Sequence, residues 1–256
     1  MVATDSIKNT IYIKAKEHPV NPPELYASIL GQHFLARYPH IHAANVSVVQ
    51  HRWTRLSVEG KPHPHSFVRD SEETRNVSCR ASREKGIEIT SSLAKLTVLK
   101  STGSAFHGFV RDEFTTLAET WDRILSTDVE CSWRWKPFAS VGEVEKAAGE
   151  GKFDAAWEQS RAITIKTFAE DESASVQNTM YKMCELILEA VPDVETVGYS
   201  LPNKHYFEIG RLSPGSSDAN RISADSSLLQ TSAGTRTSRT PARMPRYSRL
   251  SRAPMV

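Results

Sequence analysis

Val77-Ser78-Cys79-Arg80-Ala81-Ser82-Arg83, a Gly86 turn, then Ile87-Glu88-Ile89-Thr90: this stretch decides the fold. Val77, Cys79 and Ala81 alternate with polar residues, the period-2 pattern of a strand with one buried face. Gly86 marks a turn, and Ile87 to Lys100 supplies one or two more strands. So short a turn can join only antiparallel neighbours. Upstream, Ala44 to Val58 is also extended, carrying Val46, Val48 and Val49, then Arg52, Trp53 and Leu56. Gly60-Lys61-Pro62 turns the chain, and Phe67-Val68-Arg69 is the next extended run. The region reads as a run of antiparallel hairpins.

Helices flank it. Pro22-Pro23-Glu24 is a strong helix start, with Pro in the first turn and an acid near the positive end. Tyr26, Leu30, Phe34 and Tyr38 recur every four residues, Leu25 and Ile29 widen that face, and Pro39 closes it. Thr4-Asp5-Ser6 offers N-cap residues ahead of a helix from Ile7 to Lys16. Thr127 to Phe138 is extended, with Trp133 and Trp135 on one face. Phe153 to Phe168 is helical, with Trp157, Ile165 and Phe168 as core residues. Ser173-Ala174-Ser175 caps a further helix whose apolar face is Val176, Met180, Met183, Ile187 and Val191, with Cys184 and Leu188 beside it. The order predicts an α+β fold with antiparallel sheet, in two similar halves that each pair two helices with a hairpin sheet.

Composition sets bounds. The chain is 39% hydrophobic and 24% charged, with a formal charge of +2. No apolar run approaches the ~20 residues of a membrane span, and Met-Val-Ala-Thr-Asp-Ser lacks the basic-then-apolar pattern of a secretory signal. Cys79, Cys131 and Cys184 are odd in number and far apart, which predicts reduced thiols in an intracellular compartment, not a disulfide framework or zinc site. After Ile209 the character changes: residues 211–256 hold eight arginines and no lysine. Such a tail is either a nonspecific nucleic-acid contact or a segment outside the fold.

Several places carry chemistry. Tyr199 to Ile209 reads as a short strand, a Pro-set turn and a second extended run, with Asn203, Lys204 and His205 at the turn. An amide, an ammonium and an imidazole there form either a small site or a polar hairpin corner. Phe106 and Phe109, in a Gly/Ser loop, are core anchors or a stacking platform for a planar ligand. Arg123 is a solvated cation or a planar two-pronged clamp. Val176 and Gln177 fall in a helical first turn, where backbone N–H groups point outward. His40, His42, His51, His63 and His65 cluster, but no Cys, Asp or Glu sits at the offsets a closed metal site needs.

Seven segments carry a more specific signal: V-A-T-D-S-I-K-N-T-I-Y from Val2, H-R-W-T-R from His51, K-P-H-P-H-S-F from Lys61, L-T-V-L-K-S-T from Leu96, T-W-D-R-I-L-S-T-D-V from Thr120, A-S-V-Q-N-T-M-Y-K-M from Ala174 and S-L-P-N-K-H-Y-F-E-I from Ser200. Over Val2 to Ile209 the chain resembles the urate oxidases (uricases) of the eukaryotic, fungal-like type. The resemblance implies the tunnelling fold, with a first unit at 1–86 that is N-terminally incomplete, a second at 87–210 and a disordered tail at 211–256. It implies oxidation of urate by O2 and water to 5-hydroxyisourate and hydrogen peroxide, with no metal and no organic cofactor. It also implies a homotetramer with active sites between subunits, and neither nucleic acid nor membrane as partner. By resemblance Phe106 stacks on the purine, Arg123 clamps one edge, and Gln177 with the Val176 N–H binds the other. Thr4 and Asp5 come from a neighbouring subunit, Asn203 holds O2 or water above the ring, and His205 shares a proton relay with Thr4. The family's relay also uses a lysine on its first strand; with Met1 only three residues ahead of Thr4, that strand and lysine have no counterpart here. A second functional reading is therefore a purine-binding subunit that does not turn over. The family often ends in a peroxisomal S-K-L-type tripeptide, whereas this chain ends Pro254-Met255-Val256, which leaves peroxisome and cytoplasm both open.

Overall fold

The computed structural model describes residues 1–172, 175–204, 206 and 249–251. Helices α1 (Thr4–Glu17) and α2 (Pro23–Arg37) come first. Strand β1 (Ala43–His51) follows, then the hairpin β2 (Thr54–Val58) and β3 (Lys61–Val68), then β4 (Thr74–Ser82), β5 (Gly86–Lys100) and β6 (Leu125–Trp135). Helices α3 (Val141–Gly149), α4 (Lys152–Glu170) and α5 (Val176–Ala190) precede β7 (Val194–Ser200), β8 (Asn203–Lys204) and β9 (Arg249–Ser251). The main sheet runs β1-β4-β5-β6-β7-β9, with β8 also on β6, and every pairing is antiparallel. The hairpin β2–β3 forms a separate two-stranded sheet. The fold is α+β, and the remainder of 211–256 lies outside the described residues.

The alternation in the sequence becomes the core. Val77, Cys79 and Ala81 of β4, and Val129, Cys131, Trp133 and Trp135 of β6, are all buried under the helices. Helix α2 lies so close to β4 that a Cβ on Gly31 would fall 2.8 Å from the Ala81 Cβ, so glycine is required there by contact. Trp135 meets Phe153 of α4 edge-on, ring centroids 4.8 Å apart, a favoured aromatic geometry.

Beneath α2 runs a buried polar chain. Glu24, wholly buried in the first turn of α2, accepts from Arg75 Nη2 at 2.8 Å and from Ser91 Oγ at 2.7 Å. Ser91 accepts from the Trp135 indole at 3.0 Å, and Arg75 reaches on to Asp154 of α4 at 2.6 Å. The buried Glu24 charge is tolerated because both its oxygens are hydrogen-bonded, one of them to a cation.

One irregularity sets up the site. The β5–β6 register shifts between Leu93 and Leu96, and Lys95 takes a φ of 58°. This bulge inserts one residue and reverses the alternation. Before it Ile87, Ile89, Ser91 and Leu93 face the helices; after it Leu96 does, with Val98 packed against the core. Ile87 to Lys100 is thus one bulged strand.

Three local expectations are corrected. The N-cap of α1 is Ala3 without a side-chain cap, and Thr4 and Asp5 already lie inside the helix. Helix α3 is additional. On α4, Ile165 is 36% exposed and Thr164 takes the buried position, bonding to Ser160 O and to the Tyr199 hydroxyl.

Candidate active site

A cavity of about 370 Å³ opens between the start of β6, the first turn of α5 and the loop after β5. Phe106, Arg123, Val176, Gln177 and Asn203 all line it, though they come from four separate stretches of chain. Its size is within the range of small-molecule sites, roughly 300–1,000 Å³.

The segments that carry these side chains are held by identifiable contacts. Phe106 pairs its backbone with Thr120 in a two-bond bridge, N to O at 2.7 Å and O to N at 2.9 Å. The same loop is tied by Asp122, which accepts from Thr102 Oγ1 at 2.6 Å and Gly103 N at 2.8 Å. These hydrogen bonds, the Thr102 hydroxyl foremost, hold the Asp122 carboxyl below its ordinary range. Arg123 follows directly, its guanidinium carbon 5.2 Å from the Phe106 ring centroid. Phe106 also stacks with Phe109 at 4.9 Å. The Arg123 Nε is buried and finds no hydrogen-bond partner among the described residues.

Opposite stands α5. Ser175 caps it, its hydroxyl accepting from Asn178 N at 3.3 Å. Val176 and Gln177 are its first two residues, at the positive end of the helix dipole. Asp171, at the C-cap of α4, anchors this turn by accepting from Thr179 Oγ1 and Lys182 Nζ, each at 2.6 Å. Burial pushes the Asp171 carboxyl up, but those bonds and the nearby ammoniums of Lys182 and Lys100 leave it below its ordinary value.

The Asn203 segment is built differently from the hairpin corner expected of it. Glu130 pairs with Ser200, Thr127 with Asn203 and Ser126 with Lys204. One register therefore runs through both strands: β8 continues β7 along the same edge of β6, interrupted only at Leu201 and Pro202. Proline has no N–H for the ladder, which accounts for the gap. Strand alternation then separates the polar neighbours. Asn203 lines the cavity beside Thr127, whereas Lys204 pairs with Asp128 at 2.6 Å. His205 lies outside the described residues.

Thr4 and Asp5 are exposed in the first turn of α1 and line no part of the cavity in this chain. Asp5 bonds instead to Asn9 and pairs with Lys8. His63 and His65 stand edge to face at 4.7 Å, and no His/Cys/Asp/Glu group suited to a metal occurs among the described residues. No helix among them is long and apolar enough to cross a membrane. Lys100, Thr127 and Asp171 are among the cavity-lining residues that were not foreseen as site residues. Thr127 and Lys100 lie in quoted extended runs, but no sequence signal gives their facing.

The uricase family model matches residues 1–80 and 89–231. The uricase of Aspergillus flavus is 65% identical over 209 residues, covering 82% of this chain and 68% of that protein. That of Schizosaccharomyces pombe is 46% identical over 230 residues, covering 90% and 75%. Among solved structures, uricase from Arthrobacter globiformis superposes with a TM-score of 0.71 at 33% identity, over 96% of this chain and 80% of that one. Urate oxidase from Bacillus sp. TB-90 gives 0.73 at 28% identity, over 84% and 72%.

Proposed function

The chain belongs to the uricase family, the urate oxidases of tunnelling fold, and from that premise we propose that the Phe106 cavity is where it binds urate and oxidises it. Two electrons pass from the purine to O2, water supplies the oxygen added to the ring, and the products are 5-hydroxyisourate and hydrogen peroxide. The observation that carries the assignment is the convergence of a ring, a fixed guanidinium fork, a helix N-terminus and an amide on one small cavity.

Phe106 stacks on the flat substrate. Arg123 gives one edge two parallel donors, which suits a planar anion. Gln177 and the Val176 N–H take the opposite edge, where the helix dipole favours negative charge. Asn203 holds O2 or water above the ring. Urate gives up electrons more readily once fully deprotonated, so the site must both remove a proton and favour the extra charge. A threonine hydroxyl is too weak alone and needs a partner of tuned pKa; in this proposal Thr4 of a neighbouring subunit, beside its Asp5, works with His205. A neighbour's contribution is supported by α1, which buries none of its residues and exposes Ile7, Ile11, Tyr12 and Ile13. The assembly proposed is a homotetramer.

The test is direct. Purified chain mixed with urate under air should remove the ultraviolet absorbance of urate and release peroxide in equal measure. Absence of both turnover and urate binding at high protein concentration would refute the proposal.

A further inference from the structure

We propose that Lys100 sets the charge state of the bound substrate, its ammonium acting together with Arg123 to favour doubly deprotonated over singly deprotonated urate. The proposal rests on the assignment of the cavity to urate. The bulge at Ala94 and Lys95 turns the end of β5 over, so that Lys100, opposite Leu125, lines the cavity. The loop that carries Phe106 lies directly on its stem. A Cβ on Gly103, whose φ is +74°, would stand 3.4 Å from the Lys100 Cε.

The titratable groups lining the cavity among the described residues are Lys100, Arg123 and Asp171. The carboxylate is already taken by Lys182 and Thr179. Lys100 reaches only the Asp171 carbonyl oxygen, at 2.9 Å, and neither Lys100 nor Arg123 forms an ion pair among the described residues. The contributions from α5, β6 and β8 (Val176, Gln177, Thr179, Met180, Leu125, Thr127, Asn203) bear no charge. Lys100 feels the Asp171 carboxylate, but Lys182 already pairs with that carboxylate, so the cavity keeps a net positive charge that favours the more negative form of whatever planar acid enters.

The experiment is an anaerobic titration of urate bound to the purified chain, reading its ultraviolet spectrum against pH. A cation at contact distance lowers an acid's midpoint by about 1–3 units. Lys100→Gln should therefore raise the midpoint for the second deprotonation of bound urate by about one unit, and Lys100→Arg should restore it. A packing defect would not separate these two variants by charge. Lys100→Met, which keeps the apolar stem under Gly103, replaces Gln if Gln does not fold. An unchanged midpoint in the uncharged variants overturns the proposal while leaving the urate site standing. Failure of the unsubstituted chain to bind urate overturns both.

Discussion

Asn203 stands opposite Thr127 in the register that also sets Ser200 opposite Glu130, so the chain passes Pro202 without leaving its edge of the sheet. Sheet pairing therefore fixes the Asn203 backbone, and with it the point on the cavity wall from which its amide is offered, and a positioned dipole is the kind that stabilises developing charge. Asn203→Ala should lower kcat about 100-fold with little change in KM, because removing one such donor typically costs two to three orders of magnitude. Steady-state kinetics at varied O2 checks this. A rise in KM alone would instead assign Asn203 to ground-state binding.

Arg123 shows why position matters as well as charge. Its guanidinium carbon is 5.2 Å from the Phe106 centroid, and its buried Nε has no hydrogen-bond partner among the described residues. Arg123→Lys keeps the charge and loses the fork. Hydrogen bonds to charged groups are worth about 1.5–3 kcal/mol, so urate affinity should fall roughly 10- to 100-fold. Calorimetric titration under nitrogen measures it. Unchanged affinity would mean that the fork does not meet the substrate.

The sheet was legible because its strands alternate cleanly, as Val77, Cys79 and Ala81 do, and α5 because Met180, Met183 and Ile187 recur on one face beneath a Ser175 cap. Phe106, Arg123 and Gln177 were legible as chemistry, while their convergence came only with the resemblance. Lys100 was not legible, since its facing depends on a bulge that period-2 counting cannot see. Pro202 misled for a local reason: proline marks turns, but here it only breaks a ladder that resumes in register. Ile165 misled because a buried Thr164 satisfied by Ser160 and Tyr199 outcompeted it for the inward position.

Glu24 and Arg75 form an ion pair at 2.8 Å, with Glu24 wholly buried. Removing one partner of a buried pair typically costs about 3–5 kcal/mol, and here Asp154, still 2.6 Å from Arg75, places the loss toward the low end. Glu24→Gln should accordingly lower the urea midpoint sharply. The double variant Glu24→Met, Arg75→Met should recover part of the loss, because no buried charge remains. Equilibrium unfolding of the three proteins checks this, and a midpoint unmoved by Glu24→Gln would rule out the pair as a stabilising element.

Asp171 gives the stability a sign with pH. Its carboxyl is held below its ordinary value in the folded chain, so it binds its proton more weakly folded than unfolded. Its contribution is therefore fully present above the ordinary carboxylate range and is lost as pH falls through the lower, folded value. Asp171→Asn should be less stable than the unsubstituted chain at neutral pH, with the gap closing as acid is added. Denaturation at a series of pH values reads the gap; one that widens in acid would contradict the assignment.

The cysteines test the core itself. Burial pushes Cys131 up to about 12, and Cys79 and Cys184 to about 11. Alkylation proceeds through the thiolate, and at pH 8 these groups are almost wholly protonated as well as shielded. All three are free, so an intact fold should resist iodoacetamide and then take up three equivalents once unfolded. Mass spectrometry before and after denaturation counts them. The order of labelling at intermediate denaturant adds information: Cys184, on α5, reports the helix that presents Val176 and Gln177, whereas Cys79 and Cys131 report the sheet. Early labelling of Cys184 alone would mark α5 as the first element to detach, taking one wall of the cavity with it. Simultaneous labelling would show that the cavity and the sheet open as one unit.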